Sequence, residues 1–320
     1  MSFSNSFICR AAAKSLPPLA LLLAIAATPV SAAALYGKAY PSPDAAAADL
    51  LEAARSGNSK RIQTVCGAKA KRLGSGDPVR ARYERELFVS AYNEKHELRL
   101  ESDQRATLVL GNNEWPFPVP LVKIGNIWRF DPAAGMDEIV NRRIGQNELY
   151  AIQVLQAIVD AQYDYASVDR DGDGLREYAQ KFSSTPGQHD GLYWPTQAGE
   201  APSPLGPLLA FAESRGYARK SGKPAPYWGY YYRILTEQGG DTPGNSYNYL
   251  AGDKLIGGFA VIAYPADYGA SGIKSFIVNH EGVVYEKDLG ADTAKTAAAI
   301  KQFNPSDNWE KAVKPELTAR

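Results

Sequence analysis

The segment that follows Val168 carries acidic residues at a spacing that could bind a hard cation. Three aspartates alternate along it and a glycine follows them: Asp169, Asp171, Asp173 and Gly174. This order matches the first half of a calcium loop, where alternate carboxylates converge on the ion and the glycine permits a sharp turn. The closing position, normally a bidentate glutamate, is Gln180, which leaves Glu177 as the nearest further carboxylate. Two interpretations stay open: a calcium site that includes Glu177, or a plain acidic turn after a helix.

Aromatic side chains beside polar ones form a second candidate site. They lie in or next to predicted loops: Tyr193, Trp194, Tyr227, Trp228, Tyr247, Tyr249, Tyr264 and Tyr268. Flat apolar rings combined with amide and carboxylate groups suit the recognition of a glycan or a peptide. The same rings could instead fill the interface between a helix and a sheet, because buried tyrosine with a hydroxyl partner is common. If a groove exists, we expect the ligand to contact Asp190, Tyr193, Trp194 and Tyr268.

The sequence does not contain a complete set of catalytic groups. The three histidines, His96, His189 and His280, do not share a metal-binding spacing. No serine lies in a nucleophile-elbow context with an assignable histidine and aspartate. A hydrolase would therefore depend on carboxylates, with Asp190, Glu148 or Glu177 as acid or base, and their burial decides whether they could act.

A long helix before the acidic segment and an antiparallel sheet after it would position these residues. Apolar residues at three- and four-residue steps predict one helix from Glu138 to about Tyr165: Ile139, Leu149, Ile152, Leu155, Ile158, Val159 and Tyr163. Four later segments, 227–235, 258–264, 275–279 and 283–286, are rich in aromatic and β-branched residues, which is typical of strands. We expect one face of this antiparallel meander to be buried against the helix.

The residues before the long helix predict a separate, smaller α+β unit. Alanine-rich and amphipathic segments at 45–55, 60–66 and 79–94 indicate helices. Segments 106–110, 119–124 and 127–130 indicate strands, and Gly125-Asn126 marks a tight hairpin. The fold class is therefore α+β, with N-terminal helices on a small antiparallel sheet (41–132), a long helix with an antiparallel sheet (135–310) and a C-terminal tail (311–320).

The first 33 residues have the pattern of a cleavable signal peptide. Arg10 and Lys14 precede an apolar run from Leu19 to Val30, and small residues follow near Ala33. The run is too short to span a bilayer stably, although an uncleaved membrane anchor is the alternative. No later run is long and apolar enough for a transmembrane helix. We therefore expect a periplasmic or secreted protein.

Composition narrows the classes of partner and the chemistry of the cysteines. Lysine and arginine total 35, as do aspartate and glutamate, so no net charge attracts nucleic acid or an anionic membrane. Only Cys66 remains after removal of the signal peptide, and a single cysteine cannot form an internal disulfide. We expect Cys66 to be buried and inert.

Several segments of the second unit resemble a known family. They are Arg142 to Leu149, Asp190 to Pro195, Ser203 to Pro207 and Tyr230 to Leu235, with shorter matches at 257–260, 264–266, 268–269 and 288–290. Together they resemble the bacterial domain-of-unknown-function family 2950 over nearly the whole mature chain. The resemblance implies a secreted envelope protein of Gram-negative type and brings no assigned activity. The long helix on a small sheet is also similar in shape to the globular part of type IV pilins, without their processed apolar helix.

These observations predict an exported cell-envelope protein that acts by binding or as a structural component. A glycan, a peptide or another envelope protein is the expected partner. The competing class is an envelope hydrolase that uses carboxylates as acid and base on glycan or peptide. No cofactor is expected, apart from calcium if the acidic segment binds one.

Overall fold

Helices and a small sheet come first in the chain, a long helix follows, and a second set of strands completes it. The computed structural model describes residues 36–67, 78–170, 172–197, 199–214, 217, 226–240 and 246–313. The predicted α+β class is confirmed. The predicted signal peptide, the end of the tail and Asp171 lie outside the described residues.

The described helices are α1 (Pro43–Arg55), α2 (Ser59–Cys66), α3 (Pro78–Glu94), α4 (Pro132–Ala166), α5 (Gly206–Ser214) and α6 (Thr293–Ala299). The first strands are β1 (His96–Ser102), β2 (Arg105–Leu110), β3 (Trp115–Pro116), β4 (Leu121–Ile124) and β5 (Ile127–Phe130). The next are β6 (Tyr230–Leu235), β7 (Glu237–Gln238), β8 (Tyr247–Asn248), β9 (Leu250–Ala251) and β10 (Lys254–Leu255). The last are β11 (Ala260–Pro265), β12 (Lys274–Asn279), β13 (Val284–Asp288), β14 (Gln302–Phe303) and β15 (Glu310–Lys311).

The N-terminal sheet is antiparallel, with the order β1-β2-β4-β5 and β3 beside β2. Helices α1, α2 and α3 cover it, and local signals fix where the first two begin. The Ser42 hydroxyl accepts the N–H of Ala45 at the start of α1, and the Asn58 side chain accepts two N–H groups at the start of α2. Cys66 is buried in this core, and burial raises the pKa of its thiol to about 12, which makes it inert at neutral pH.

Helix α4 is the predicted long helix, and it begins at Pro132, six residues earlier than expected. The Asp131 side chain accepts the N–H groups of Ala133 and Ala134, which is the capping arrangement that starts a helix. Ile139 packs against the N-terminal core, whereas positions from 151 onwards belong to the C-terminal core. One helix therefore contacts both cores.

Two residues assigned to the apolar stripe of this helix face solvent instead. Leu149 is 39% exposed and Tyr163 is 48% exposed, so their predicted burial is wrong. Three polar residues, Arg143, Asn147 and Gln162, take inward positions, and the fold supplies hydrogen-bond partners for the two amides. The Gln162 amide exchanges two hydrogen bonds of 2.8 Å with the backbone of Ala179, and Asn147 is paired at the middle of the helix.

The predicted antiparallel sheet follows α4, in the order β15-β13-β12-β11-β6. Every residue from Ala260 to Ala263 in the central strand β11 is fully buried. Since successive side chains point to opposite faces of a strand, both faces of the sheet must be covered. Helix α4 packs on β11 and β12, and α6 and β14 also pack on the central strands. None of the described helices combines the length and the apolar character that crossing a membrane requires.

Candidate functional site

The acidic segment forms a tight loop after the end of α4. Both carboxylate oxygens of Asp169 accept backbone N–H groups, from Gly172 at 2.8 Å and from Gly174 at 2.9 Å. These glycines have positive φ angles of 79° and 86°, a conformation that favours glycine over other residues. The turn that the aspartate–glycine pattern predicts is therefore formed, with Asp171 outside the described residues.

A lysine from a distant part of the chain lies against two of the predicted calcium ligands. The Lys254 ammonium is 2.9 Å from Asp173 and 3.2 Å from Glu177. Its hydrogen bond to Asp173 is the main reason that the pKa of this carboxyl is lowered. The second carboxylate oxygen of Glu177 is buried without a hydrogen-bond partner. Among the residues that the structure describes, no three acidic, histidine or cysteine side chains are grouped closely enough to hold a metal.

The Asp190 carboxylate closes a surface loop by accepting hydrogen bonds from Lys181 and Thr185. One carboxylate oxygen accepts the backbone N–H of Thr185 at 2.7 Å. The other accepts the Lys181 ammonium at 2.5 Å and the Thr185 hydroxyl at 2.8 Å. These donors, the lysine foremost, lower the pKa of Asp190 to about 2. The carboxylate is therefore ionised at neutral pH and occupied by three internal donors.

Trp194 lies inside the C-terminal core, next to the half-buried Tyr193. It is 8% exposed, and its ring stacks on His189 with centroids 4.3 Å apart. The Arg170 guanidinium lies 5.4 Å from the centre of the same ring and 5.5 Å from that of Tyr165. Most of the Trp194 surface is therefore covered by the protein itself.

Tyr268 occupies the connection between β11 and β12. Its hydroxyl donates to Asp288 at 3.2 Å, and this hydrogen bond is the main cause that raises the pKa of the phenol. A shallow groove of about 300 Å³ runs beside the ring, lined by Pro265, Ala266, Asp267, Tyr268, Ala291, Thr293 and Ala294. This groove is small and open, and the other three predicted ligand-binding residues do not line it.

The structure does not bring Tyr268 together with Trp194. The connection that holds Tyr268 contacts α4 at Asn147, through the carbonyl of Ser271. Trp194 lies near the other end of the helix, beside Tyr165. Eighteen helical residues separate these two positions, which corresponds to roughly 27 Å along the axis. Asp190, Tyr193 and Trp194 are neighbours, and Tyr268 belongs to a different region.

Glu148, the remaining candidate acid or base, anchors a loop of the sheet. One of its carboxylate oxygens accepts the backbone N–H groups of Ile273 and Lys274, both at 3.0 Å. A carboxylate that accepts two amide hydrogens fixes the start of β12 against α4. One of the two Glu148 oxygens is therefore occupied by the fold itself.

A cluster of polar and aromatic side chains that the sequence analysis did not bring together joins α3, α4, the turn before β6 and the connection between β11 and β12. The Arg80 guanidinium donates to the Asn147 carbonyl at 2.8 Å, and the Asn147 amide donates to the Ser271 carbonyl at 2.8 Å. Arg80 also lies 5.0 Å from the centre of the Trp228 ring, which stacks on Tyr150. We call Arg80, Asn147, Tyr150, Trp228 and Ser271 the junction cluster.

Trp228 has an unusual backbone conformation for a bulky residue, with a φ of 50°. It occupies a two-residue turn, in which Tyr227 and Tyr230 exchange two backbone hydrogen bonds. Such strain costs on the order of 1–3 kcal/mol and persists only where the surroundings fix it. The sequence did contain one signal of a polar face on α4 at this level. Arg143 and Asn147 are four residues apart, so they share one face of the helix. Arg143 is also buried, and burial lowers the pKa of its guanidinium.

Comparison with known families identifies the family to which the chain belongs. Residues 37–312 match the model of a family described as a protein of unknown function, DUF2950. The chain belongs to the DUF2950 family. No curated protein and no solved structure matches it. The pilin-like shape is accordingly not confirmed, and DUF2950 membership brings no activity.

Two segments that carried the resemblance to the DUF2950 family meet beside the junction cluster. Glu148, from the first segment, accepts the N–H of Lys274, and the hydroxyl of Tyr230, from the other, donates to the Lys274 carbonyl at 2.8 Å. An added Cβ at Gly229 would lie 2.7 Å from the Asn147 amide nitrogen, and one at Gly272 would lie 2.1 Å from the Tyr230 hydroxyl. The close packing of this DUF2950 domain therefore requires glycine at both positions.

Proposed function

We propose that this protein is an exported cell-envelope component that acts by binding a glycan, a peptide or another envelope protein, or as a structural element. One observation supports this proposal most. Asp190, Glu148 and Glu177, the carboxylates that a hydrolase would use, each accept hydrogen bonds or an ion pair from groups within the fold. General acid–base catalysis needs a group that can exchange its proton with the substrate. These three side chains stabilise loops instead.

The export part of the proposal rests on the N-terminal segment. In a Gram-negative host, the full-length chain with a C-terminal tag should appear in the periplasmic fraction with a mass that lacks the first 33 or so residues. Leu22→Arg places a charge in the apolar run and should retain the unprocessed chain in the cytoplasm. An intact chain in the membrane pellet would instead establish an uncleaved anchor.

Sedimentation with purified cell-wall sacculi tests the binding part. Sacculi that retain covalently attached protein, and sacculi treated with protease, distinguish a protein partner from the glycan–peptide mesh. We expect the mature protein to be retained on at least one of the two. Asp190→Asn and Glu177→Gln should remain bound, because Lys181 and Lys254 hold these two carboxylates within the fold. Absence of retention on both materials would refute the binding role.

One observation favours the hydrolase as the second candidate. The second carboxylate oxygen of Glu177 is buried without a hydrogen-bond partner, which is uncommon in a folded protein, and a catalytic role is one explanation for such a group. In a hydrolase, Glu177→Gln should abolish turnover while retention on sacculi is unchanged. Equal turnover by the variant and the wild type would remove Glu177 as the acid or base.

A further inference from the structure

The outer edge of β6 presents backbone groups that no described residue pairs. Tyr230 exchanges hydrogen bonds with Tyr227 on this side, and the Thr236 carbonyl accepts the N–H of Tyr249 there. Alternate residues of an antiparallel strand direct both backbone groups to the same side. Tyr232 and Ile234 therefore point their N–H and C=O groups outward, away from β11. Within the described ranges these four groups have no backbone partner.

Three other strand edges in the described part of the chain are covered or protected. The edge of β13 pairs with β15, and the N–H of Ala312 donates to the carbonyl of Val284 beside it. The edge of β5 is bridged by Tyr40. Strand β1 carries charged side chains along its length, a common protection against unwanted pairing. Strand β6 has three tyrosines, an isoleucine and a leucine, and only one charge.

That charge is Arg233, at the centre of the open segment. One guanidinium nitrogen, Nη2, donates to the carbonyls of Ala297 at 2.7 Å and Ile300 at 2.6 Å. No carboxylate in the described part of the chain pairs with this guanidinium. The Nε and Nη1 donors are not used by these two bonds. The described partners of the guanidinium are two neutral carbonyls at the C-terminal end of α6, so an acidic group that approached along the edge could form its ion pair.

We propose that β6 binds an extended peptide segment as a sixth strand of the sheet, antiparallel to β6 and with an acidic residue opposite Arg233. The peptide residues on either side of this acid pair with Tyr232 and Ile234 through four backbone hydrogen bonds. Strand addition of this kind takes its affinity from the backbone and its specificity from the side chains. The inference rests on the binding role proposed above and specifies the class of partner.

The geometry favours a peptide over the other occupants. Open groups two residues apart recur at roughly 6.6 Å along a strand, which is the repeat of another extended backbone and not of a glycan. A second copy of β6 that paired all four open groups about a twofold axis would place Arg233 opposite Arg233, and like charges directly across two strands are destabilising. A partner with aspartate or glutamate at this position removes that repulsion.

A peptide series tests the proposal with the unmodified mature protein. The probe is a fluorescent heptapeptide, Thr-Val-Thr-Glu-Thr-Val-Thr, and the matched peptides carry Gln or Lys in place of Glu. Binding measured by anisotropy should weaken about threefold to fivefold with Gln, in line with the strength of cross-strand charge pairs, and further with Lys. Equal binding of the Glu and Lys peptides would overturn the acidic preference and with it the proposal.

Hydrogen exchange places the peptide on the protein. The amide hydrogens of Tyr232 and Ile234 should exchange more slowly when the Glu peptide is added, whereas that of Arg233, which already faces β11, should not change. Peptide binding without protection at these two amides overturns the proposed edge. If the protein without peptide is a dimer and both amides are already protected, a second copy occupies the edge and the proposal is wrong.

A protein variant provides an independent check. Ile234→Pro removes an N–H that no described group accepts, and proline is tolerated at such edge positions. It should bind the Glu peptide at least tenfold more weakly than Ile234→Val, which keeps the N–H. If the proline variant does not fold, the peptide series with the wild-type protein still decides. Retention on sacculi together with failure of the peptide overturns this inference alone, and failure of both overturns the binding role.

Discussion

Replacing Asn147 by alanine should destabilise the protein strongly, because this side chain connects three parts of the junction cluster. Its carbonyl accepts a hydrogen bond from Arg80 and its amide donates to the carbonyl of Ser271, both at 2.8 Å. Asn147 is 2% exposed and Arg80 is 7% exposed, so water cannot readily replace either bond. The variant leaves the buried carbonyl of Ser271 without its donor and the buried guanidinium of Arg80 with one acceptor fewer.

The magnitude follows from these two losses. A buried polar group without its partner costs about 1–3 kcal/mol, and more when it is charged. Arg80 keeps its hydrogen bond to Glu84, at 2.8 Å, which limits its share of the loss. We therefore expect the free energy of unfolding to fall by about 3 kcal/mol, a large part of the 5–15 kcal/mol that is typical of folded domains. Gln146→Ala, at an exposed position of the same helix, should change it by less than about 0.5 kcal/mol.

Urea denaturation of a double-mutant cycle measures the contact itself. Arg80→Met removes the charged donor and keeps much of the apolar stem, and the double variant removes both partners. A hydrogen bond to a charged group contributes about 1.5–3 kcal/mol, so the coupling energy should lie in that range. Strict additivity of the two single variants would refute the reasoning, because it would mean that the contact carries no energy between α3 and α4.

Three further predictions concern the helix, the Asp190 loop and calcium. Gly145→Ala should raise the free energy of unfolding by about 0.5–1 kcal/mol, since its Cβ meets no atom within 4 Å and alanine favours helices. Gly135→Ala should lower the free energy of unfolding, because its Cβ would lie 2.2 Å from a backbone oxygen. Urea midpoints equal to that of the wild type would contradict both expectations. The pKa of Asp190 is lowered from 3.8 to about 2, so its stabilisation is present above about pH 4 and is lost as the pH falls towards 2. Asp190→Asn should therefore flatten the acid limb of the stability profile by less than about 1 kcal/mol after solvent screening, and an unchanged limb would contradict this role. If the acidic loop binds calcium, calorimetry should detect it in the millimolar range, and Lys254→Gln should tighten binding by removing a competing cation; no heat from either protein would remove the site.

The sequence predicted the elements of the fold better than the faces that they bury. Helix α4 was predictable because its apolar stripe is long and regular. Leu149 and Tyr163 were misplaced because Asn147 and Gln162 occupy inward positions, and their partners come from distant segments. Strand β1 was not predicted, since nearly all of its residues are exposed and its pairing with β2 alone defines it.

The candidate sites were less predictable, because their environment depends on contacts between distant residues. The aspartate–glycine pattern indicated the acidic turn, but not that the Lys254 ammonium would lie between Asp173 and Glu177. Aromatic content indicated Trp194, but its stacking on His189 places it in the core. The open edge of β6 could not be inferred either, because a strand sequence does not state which neighbours it lacks.

Release of soluble products from purified cell-wall sacculi tests the central functional claim most directly. The mature protein, incubated with sacculi and followed by mass spectrometry of the supernatant, should remain bound and release neither glycan nor peptide fragments above the level of a heat-denatured control. Fragments that accumulate with the wild type and disappear with Glu177→Gln would contradict the account and identify a hydrolase.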